Sequence, residues 1–382
     1  MNKLGIVITL AVLSLFVVWT PFLAKIPKFW GIDFGQPSME TIVSNFDGIN
    51  FLIVAKSLYN PDKIAIDYAS VLSGRENLYF SAHYPGFPLM IRLFDVVLSG
   101  PNALLFAILA SNILLAIGLY IFFEYIVKNK NLAVLFSLLA LFVPARMLSM
   151  RSVGSNESLF IFFVLGSLVA SSKQKHLLAG IAGALAVITR SPGILLFIAY
   201  MITPFSLWLK TGKVDWKKIL PYLLIPSALV GLWIYYGVVF GDFWAYFKVG
   251  GNINLYFPPF MIFGSGFDWI SGMWREDIIY TYIFYATGIL IFYRNKYTKD
   301  SSLEPITHFG LIYLIMLFFI VHRDLSRYAL PIAPIAIAGY SHYLESKYVK
   351  WGLAILIIPV FLYSWNFIIN NVQPIMDWSS FL

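Results

Sequence analysis

The sequence predicts an all-α polytopic membrane protein, with about 11 transmembrane helices and interfacial helices in a long first outer loop. Three observations predict it. Of the 382 residues, 59% are hydrophobic and only 12% are charged, whereas soluble proteins carry roughly 25% charge. The apolar residues come in runs of about 18 or more with few charges, a length that crosses a bilayer. The basic residues are shared unevenly between alternate connections, as worked out below. This pattern excludes a soluble enzyme, a disulfide scaffold, a coiled coil and a disordered regulator. A membrane barrel is excluded because its strands alternate polar and apolar residues. There is no cysteine, so no disulfide or thiolate metal site is expected. The chain, 1–382, reads as one integral membrane domain.

The first run covers 4–22 behind a single Lys3. A cleaved signal peptide would need a shorter apolar stretch and a small-residue cleavage site, so the run reads as an uncleaved anchor. Further spans are expected at 101–127, 131–147, 156–172, 177–189, 192–209, 219–239, 277–293, 305–321, 328–344 and 351–370. The stretch 177–209 divides at Arg190-Ser191-Pro192. Undivided, it would be 33 residues long, where about 20 cross a bilayer. Pro192 also disfavours helix at the residue before it.

Orientation follows from lysine and arginine in the short loops. With the N-terminus inside, the inner connections hold 14 basic and 5 acidic residues, and the outer side 13 basic and 14 acidic. The inner face then carries +9 and the outer −1, which together make the chain's +8. The basic excess is therefore a topology signal, and no nucleic-acid partner is expected. The sequence reads as a multi-pass protein of the cell membrane, with a cytoplasmic N-terminus and an external C-terminus.

Two outer loops, 24–100 and 240–276, are rich in aromatic residues. Loops this long without function are uncommon. Segments 50–58 and 86–98 have apolar residues at helical spacing but are too short to cross, so they read as interfacial helices. No internal repeat is visible, which counts against a secondary transporter.

Inner charges are almost all lysines. The outer polar residues are more varied. Asn45, Asp47 and Asn50 open the first loop, and His83 and Tyr84 close it. Arg146, Arg151, Asn156 and Glu157 cluster between two spans, and Arg190 stands at the top of another. Asp242 and Lys248 come later, then Arg275, Glu276 and Asp277, and finally His322, Arg323, Asp324 and Arg327. Arginine grips phosphate with a rigid fork of donors. A carboxylate beside arginines can act as a base with an anion-stabilising set. Simpler roles exist for some of these: Asn156 and Glu157 suit the start of a helix, and Arg190 could snorkel to the interface. The outer acids form no tight ligand motif, so neither a divalent metal nor another cofactor is expected. His322-Arg323-Asp324-Leu325 copies the start of a protein-kinase catalytic loop, but the required Asn would fall at Ala329.

The order of motifs resembles a known group. Asn45-Phe46-Asp47-Gly48-Ile49-Asn50-Phe51-Leu52-Ile53-Val54-Ala55 opens the first outer loop. His83-Tyr84-Pro85-Gly86-Phe87-Pro88-Leu89 and Gly154-Ser155-Asn156-Glu157-Ser158 follow, then Arg190-Ser191-Pro192-Gly193 and the late Arg327-Tyr328. In this order the chain resembles the GT-C superfamily of membrane glycosyltransferases, and within it most the PIG-V type of mannosyltransferase. Phe46 stands where those enzymes commonly have Trp, and the large soluble outer domain of some relatives is missing. The resemblance implies sugar transfer, possibly of mannose, from a polyprenyl- or dolichyl-phosphate donor to a glycan, lipid or protein acceptor on the extracytoplasmic face. It implies that Asp47 is the general base and that Arg190, Arg327 and Arg151 bind the donor phosphate. His83, Tyr84, Asn156, Glu157 and His322 would position the substrates. Two other readings stay open: an O-antigen ligase or polymerase, and a flippase or transporter of lipid-linked saccharide. The transporter would place ionisable residues at mid-membrane.

Overall fold

The computed structural model describes residues 2–72, 76–213, 215–249, 255–264, 272–296, 299–373, 375 and 378–382. Segments 250–254 and 265–271 of the second outer loop lie outside these residues, as do the side chains of 272–274.

Among the described residues the protein is built of helices, with one short hairpin, β1 (Lys28–Phe29) paired antiparallel with β2 (Ile32–Asp33). Helix α1 (Lys3–Leu23) is followed by the outer-loop helices α2 (Gly48–Ser57) and α3 (Gly86–Asp95). Then come α4 (Gly100–Val127), α5 (Lys130–Phe142), the short α6 (Arg146–Met150), α7 (Glu157–Ser172) and α8 (His176–Thr189). The second half holds α9 (Ile194–Thr211), α10 (Leu224–Phe240), α11 (Gly272–Asn295), α12 (Glu304–Phe318), the short α13 (Leu325–Tyr328) and α14 (Ala333–Gly339), and α15 (Lys347–Ile369). Helix α1 packs on α4 and α5, α7 lies between α4 and α8, and α14 lies against α11.

This is an integral membrane protein: among the described residues, six helices are long and apolar enough to cross a bilayer. They are Lys3–Leu23, Gly100–Val127, Ser191–Thr211, Trp216–Phe240, Ser301–Phe318 and Lys347–Ile369. Of the other expected spans, 277–293 lies inside the 24-residue α11, and the rest are cut shorter. Helices α5, α7 and α8 have 13, 16 and 14 residues, about 20 to 24 Å of helix against a hydrocarbon core of about 30 Å. The stretch 328–344 is broken by Pro331 and Pro334 into short turns of helix. These segments are enclosed by other helices, with most of α7 and all of α14 buried. Backbone packed inside protein is free of the length that lipid imposes. Eleven full crossings are thus more than these helices show. The division at Arg190 is present: α8 stops at Thr189, Arg190 is extended, and a 3₁₀ turn over Ser191–Gly193 leads into α9.

The first outer loop also differs from expectation. Helix α3 and the turn after it have an open apolar side, with Leu89, Leu93, Val96 and Val97 exposed, which suits an interfacial helix. Helix α2 does not lie at an interface. Nine of its ten residues are buried, because α3 and α4 pack over it.

Candidate active site

The buried charges share one end of the helices. Glu157 begins α7, Arg190 caps the end of the antiparallel α8, Arg146 and Arg151 flank α6, and Asp324 and Arg327 bracket the start of α13. Charges in an apolar interior are costly unless paired, and most of these are paired. Arg146 donates to Asp324, and Arg190 donates to Glu157. Arg327 bridges two acids: its Nε donates to Glu157 Oε1, and its Nη2 donates to Asp47 Oδ2 at 3.0 Å.

Close backbone contacts bring these acids together. A Cβ on Gly154 would lie 2.5 Å from Gly48 Cα, and one on Gly48 would lie 2.3 Å from Val43 O. Only glycine permits the turn after Asp47 to rest on the turn before Glu157. On the other side, a Cβ on Gly86 would strike Thr189, so the His83–Gly86 turn sits against the residue preceding Arg190.

These parts surround a cavity of about 660 Å³. Seven of the expected site residues line it: Asp47, His83, Tyr84, Asn156, Arg190, His322 and Arg327. Asp47 lies at its wall with 27% of its side chain exposed. Its Oδ1 is 3.7 Å from His83 Nε2. Burial works against its charged form, but the Arg327 guanidinium and the His83 ring prevail and hold its carboxyl well below the usual carboxylate range. His322 is shifted down, chiefly by burial, with Arg327, Arg323 and Arg190 adding to the effect. Glu157 stands behind the wall. Its Oε1 serves both arginines, while its buried Oε2 has no hydrogen-bond partner among the described residues.

Several other buried polar atoms here are also unmatched among the described residues: Tyr84 OH, His83 Nδ1, Asn156 Oδ1, and Nε and Nη1 of Arg146. Tyr84, His83, Asn156 and Arg146 all line the cavity. Buried polar groups are nearly always satisfied, and each unmade bond costs about 1–3 kcal/mol. Such a cluster around one space fits a polar ligand.

Arg151 is not at this site. It is 1% exposed, is not among the cavity-lining residues, and its donors are spent inside the bundle. Nε donates to Leu141 O, Nη1 to Ala11 O and Asn112 Oδ1, and Nη2 to Ser14 Oγ. Its guanidinium ties α1, α4 and α5 to the loop leading to Glu157 and cannot meet a phosphate.

Other cavity residues were not expected. Arg323 is exposed on the lining and, among the described residues, has no ion-pair partner. Tyr246 donates to Ser191 Oγ at 2.9 Å. The segment after α15 supplies Asn370, Asn371 and Gln373. It is bonded to the Asp47 turn: Gln373 N donates to Ser44 O at 2.9 Å, Phe46 N to Asn371 O at 3.3 Å, and Gln373 Nε2 to Phe46 O at 2.9 Å. Polar residues following an apolar run carry no sequence sign of this role. The Arg146–Asp324 pair was visible as outer polar residues, but its pairing across 178 positions was not. Among the described residues, no three of His, Cys, Asp and Glu converge as a metal-ligand group.

The arrangement of helices is also found in a solved structure. The chain is similar to the archaeal oligosaccharyltransferase AglB from Archaeoglobus fulgidus, solved in complex with an inhibitory peptide and a dolichol-phosphate, with a TM-score of 0.53 at 11% identity. The similarity covers 98% of this chain and 57% of that one, so the chain spans little more than half its length. No protein-family profile matches the chain, and no curated protein sequence matches it.

Proposed function

We propose that the protein is an inverting glycosyltransferase that moves a sugar from a polyprenyl- or dolichyl-phosphate donor to an acceptor hydroxyl. The observation that carries this reading is Asp47: a partly open carboxylate at the wall of a polar cavity, with His83 on one oxygen and an arginine on the other. The superfamily resemblance and the likeness to an oligosaccharyltransferase solved with dolichol-phosphate support the donor class. Mannose and the PIG-V type are the finer reading, supported by the order of motifs in the sequence. The active site would then face the extracytoplasmic side, as the lysine distribution suggests.

In this mechanism Asp47 takes the proton of the acceptor hydroxyl as its oxygen bonds to the anomeric carbon. The bond from that carbon to the phosphate oxygen breaks, and its electron pair stays on the lipid phosphate, which gains one negative charge. Arg190, Arg323 and Arg327 stabilise that charge, giving electrostatic catalysis of the usual kind. With guanidinium groups meeting the phosphate, no metal ion is required in the proposal. Arg327 donates to both Asp47 and Glu157. The donor phosphate would draw the fork of Arg327 toward itself and loosen its hold on the base.

The lipid-linked saccharide transporter is less well supported. The buried charges gather at one end of the helices rather than along a path between two faces. Purified protein incubated with polyprenyl-phosphate sugars and hydroxyl acceptors tests the reading. Sugar should be transferred with inversion, and Asp47→Asn should lower turnover about 10²–10⁴-fold. Transfer that survives Asp47→Asn at the normal rate would refute Asp47 as the base.

A further inference from the structure

The cavity has two chemically different sides, divided at Asp47. On one side the Asp47 carboxylate joins Arg327, which leads through Glu157 to Arg190. On the other, the backbone of the Asp47 turn is bonded to residues 371–373. That second side is built largely of neutral groups. Its buried Arg146 is paired with Asp324, and the segment after α15 contributes amides.

Those amides have spare acceptors. Asn370 Nδ2 donates to Asn366 O, Asn371 Nδ2 donates to Phe367 O at 2.7 Å, and Gln373 Nε2 is taken by Phe46 O. Among the described residues the amide oxygens of Asn370, Asn371 and Gln373 receive no bond. Arg146 is 5% exposed and has two donors, Nε and Nη1, without partners. Phe46 and Phe367 stack at 5.2 Å and also line the cavity, with Arg146 3.8 Å over Phe367. Unused acceptors, unused donors and apolar ring surface together suit a group whose oxygens both donate and accept. An ammonium would be repelled by the unmatched guanidinium donors, and a phosphate would meet an Arg146 already paired with Asp324.

We infer that Arg146, Asn371 and Gln373 form an acceptor subsite that takes an uncharged polyhydroxyl group, the sugar or polyol part of the acceptor, and presents one hydroxyl to Asp47. This rests on the transfer reading, whose acceptor was left open between glycan, lipid and protein.

The test uses the full chain in detergent or nanodiscs, with methyl hexopyranosides as probes. Saturation-transfer NMR without donor should detect their binding. Asn371→Ala is the main variant, because its Nδ2 bond is local to the end of α15 and leaves the Asp47 turn tied down. It should weaken glycoside binding about three- to tenfold, as the loss of one neutral hydrogen bond implies. It should also raise the acceptor KM by a similar factor, with a smaller change in kcat. Gln373→Ala should act in the same direction. Glycosides that bind equally well to wild type and both variants would overturn the assignment of these residues. Glycosides that fail to bind, while a serine- or threonine-bearing peptide is glycosylated, would overturn the acceptor class and leave the transfer reading standing. Glycosides that compete with the lipid donor would place this subsite on the donor's sugar and overturn the acceptor assignment. Binding at these residues with no donor ever turned over would refute the transfer reading and leave the subsite.

Discussion

Replacing Arg327 by Gln should move the acid limb of the pH–rate profile toward neutral pH. The guanidinium is the first of the groups that overcome the burial of Asp47 and depress its pKa. Its Nη2 donates to Oδ2 at 3.0 Å with only 10% of the Arg327 side chain exposed. A hydrogen bond to a charged group in such a setting contributes about 1.5–3 kcal/mol. At 1.36 kcal/mol per pKa unit, that corresponds to a rise of about one to two units for Asp47. The His83 ring near Oδ1 remains and limits the rise. A base works above its pKa and fails as pH falls through it, so the limb should shift upward by that amount. Stability moves with it. A depressed carboxylate stabilises the fold above its unfolded value of about 3.9, and this is lost as pH falls through the folded pKa. Arg327→Gln removes that contribution, so the variant should melt earlier than wild type at pH 7, and the gap should close in acid. The assay is sugar transfer across pH, read from the shape of the profile, because lost phosphate contacts lower its height. An acid limb that stays in place or moves down would refute the claim that Arg327 sets the ionisation of the base.

Arg151→Ala should lower the melting temperature, since it strips four hydrogen bonds from a buried network. Donor KM of the folded fraction should be unchanged, and a raised KM would return Arg151 to the phosphate site. Arg190→Ala should weaken donor affinity together with turnover, because a phosphate contact acts in ground and transition states alike; separate donor-binding and rate measurements check this. Gly154→Ala would put a methyl 2.5 Å from Gly48 Cα, force the Asp47 and Glu157 turns apart, and cut kcat more than it changes donor affinity. A cysteine introduced at Lys213 should resist an impermeant thiol reagent applied from outside; labelling there would overturn the orientation inferred from the lysines.

Much of this could be read from the sequence by itself. Apolar runs reveal helices that must leave water, because hydropathy is a sum over neighbouring residues. Pro192 and the length of 177–209 placed the break at Arg190, where the helix does end. The motifs around Asp47, His83, Asn156, Arg190 and Arg327 pointed to residues that do surround one cavity. Tertiary structure decided the rest. Glu157 lies one layer behind the wall as the shared anchor of Arg190 and Arg327, and Arg151, equally arginine and equally near in sequence, is spent on backbone carbonyls, Asn112 and Ser14. Helix α2 is buried where its composition allowed a surface position, and the end of α15 with the segment after it is bonded to the turn that carries the base, more than 300 positions away. A window of sequence reports whether a residue prefers water or lipid; which partner a buried charge finds depends on packing between distant segments, and that pairing is set only when the chain closes on itself.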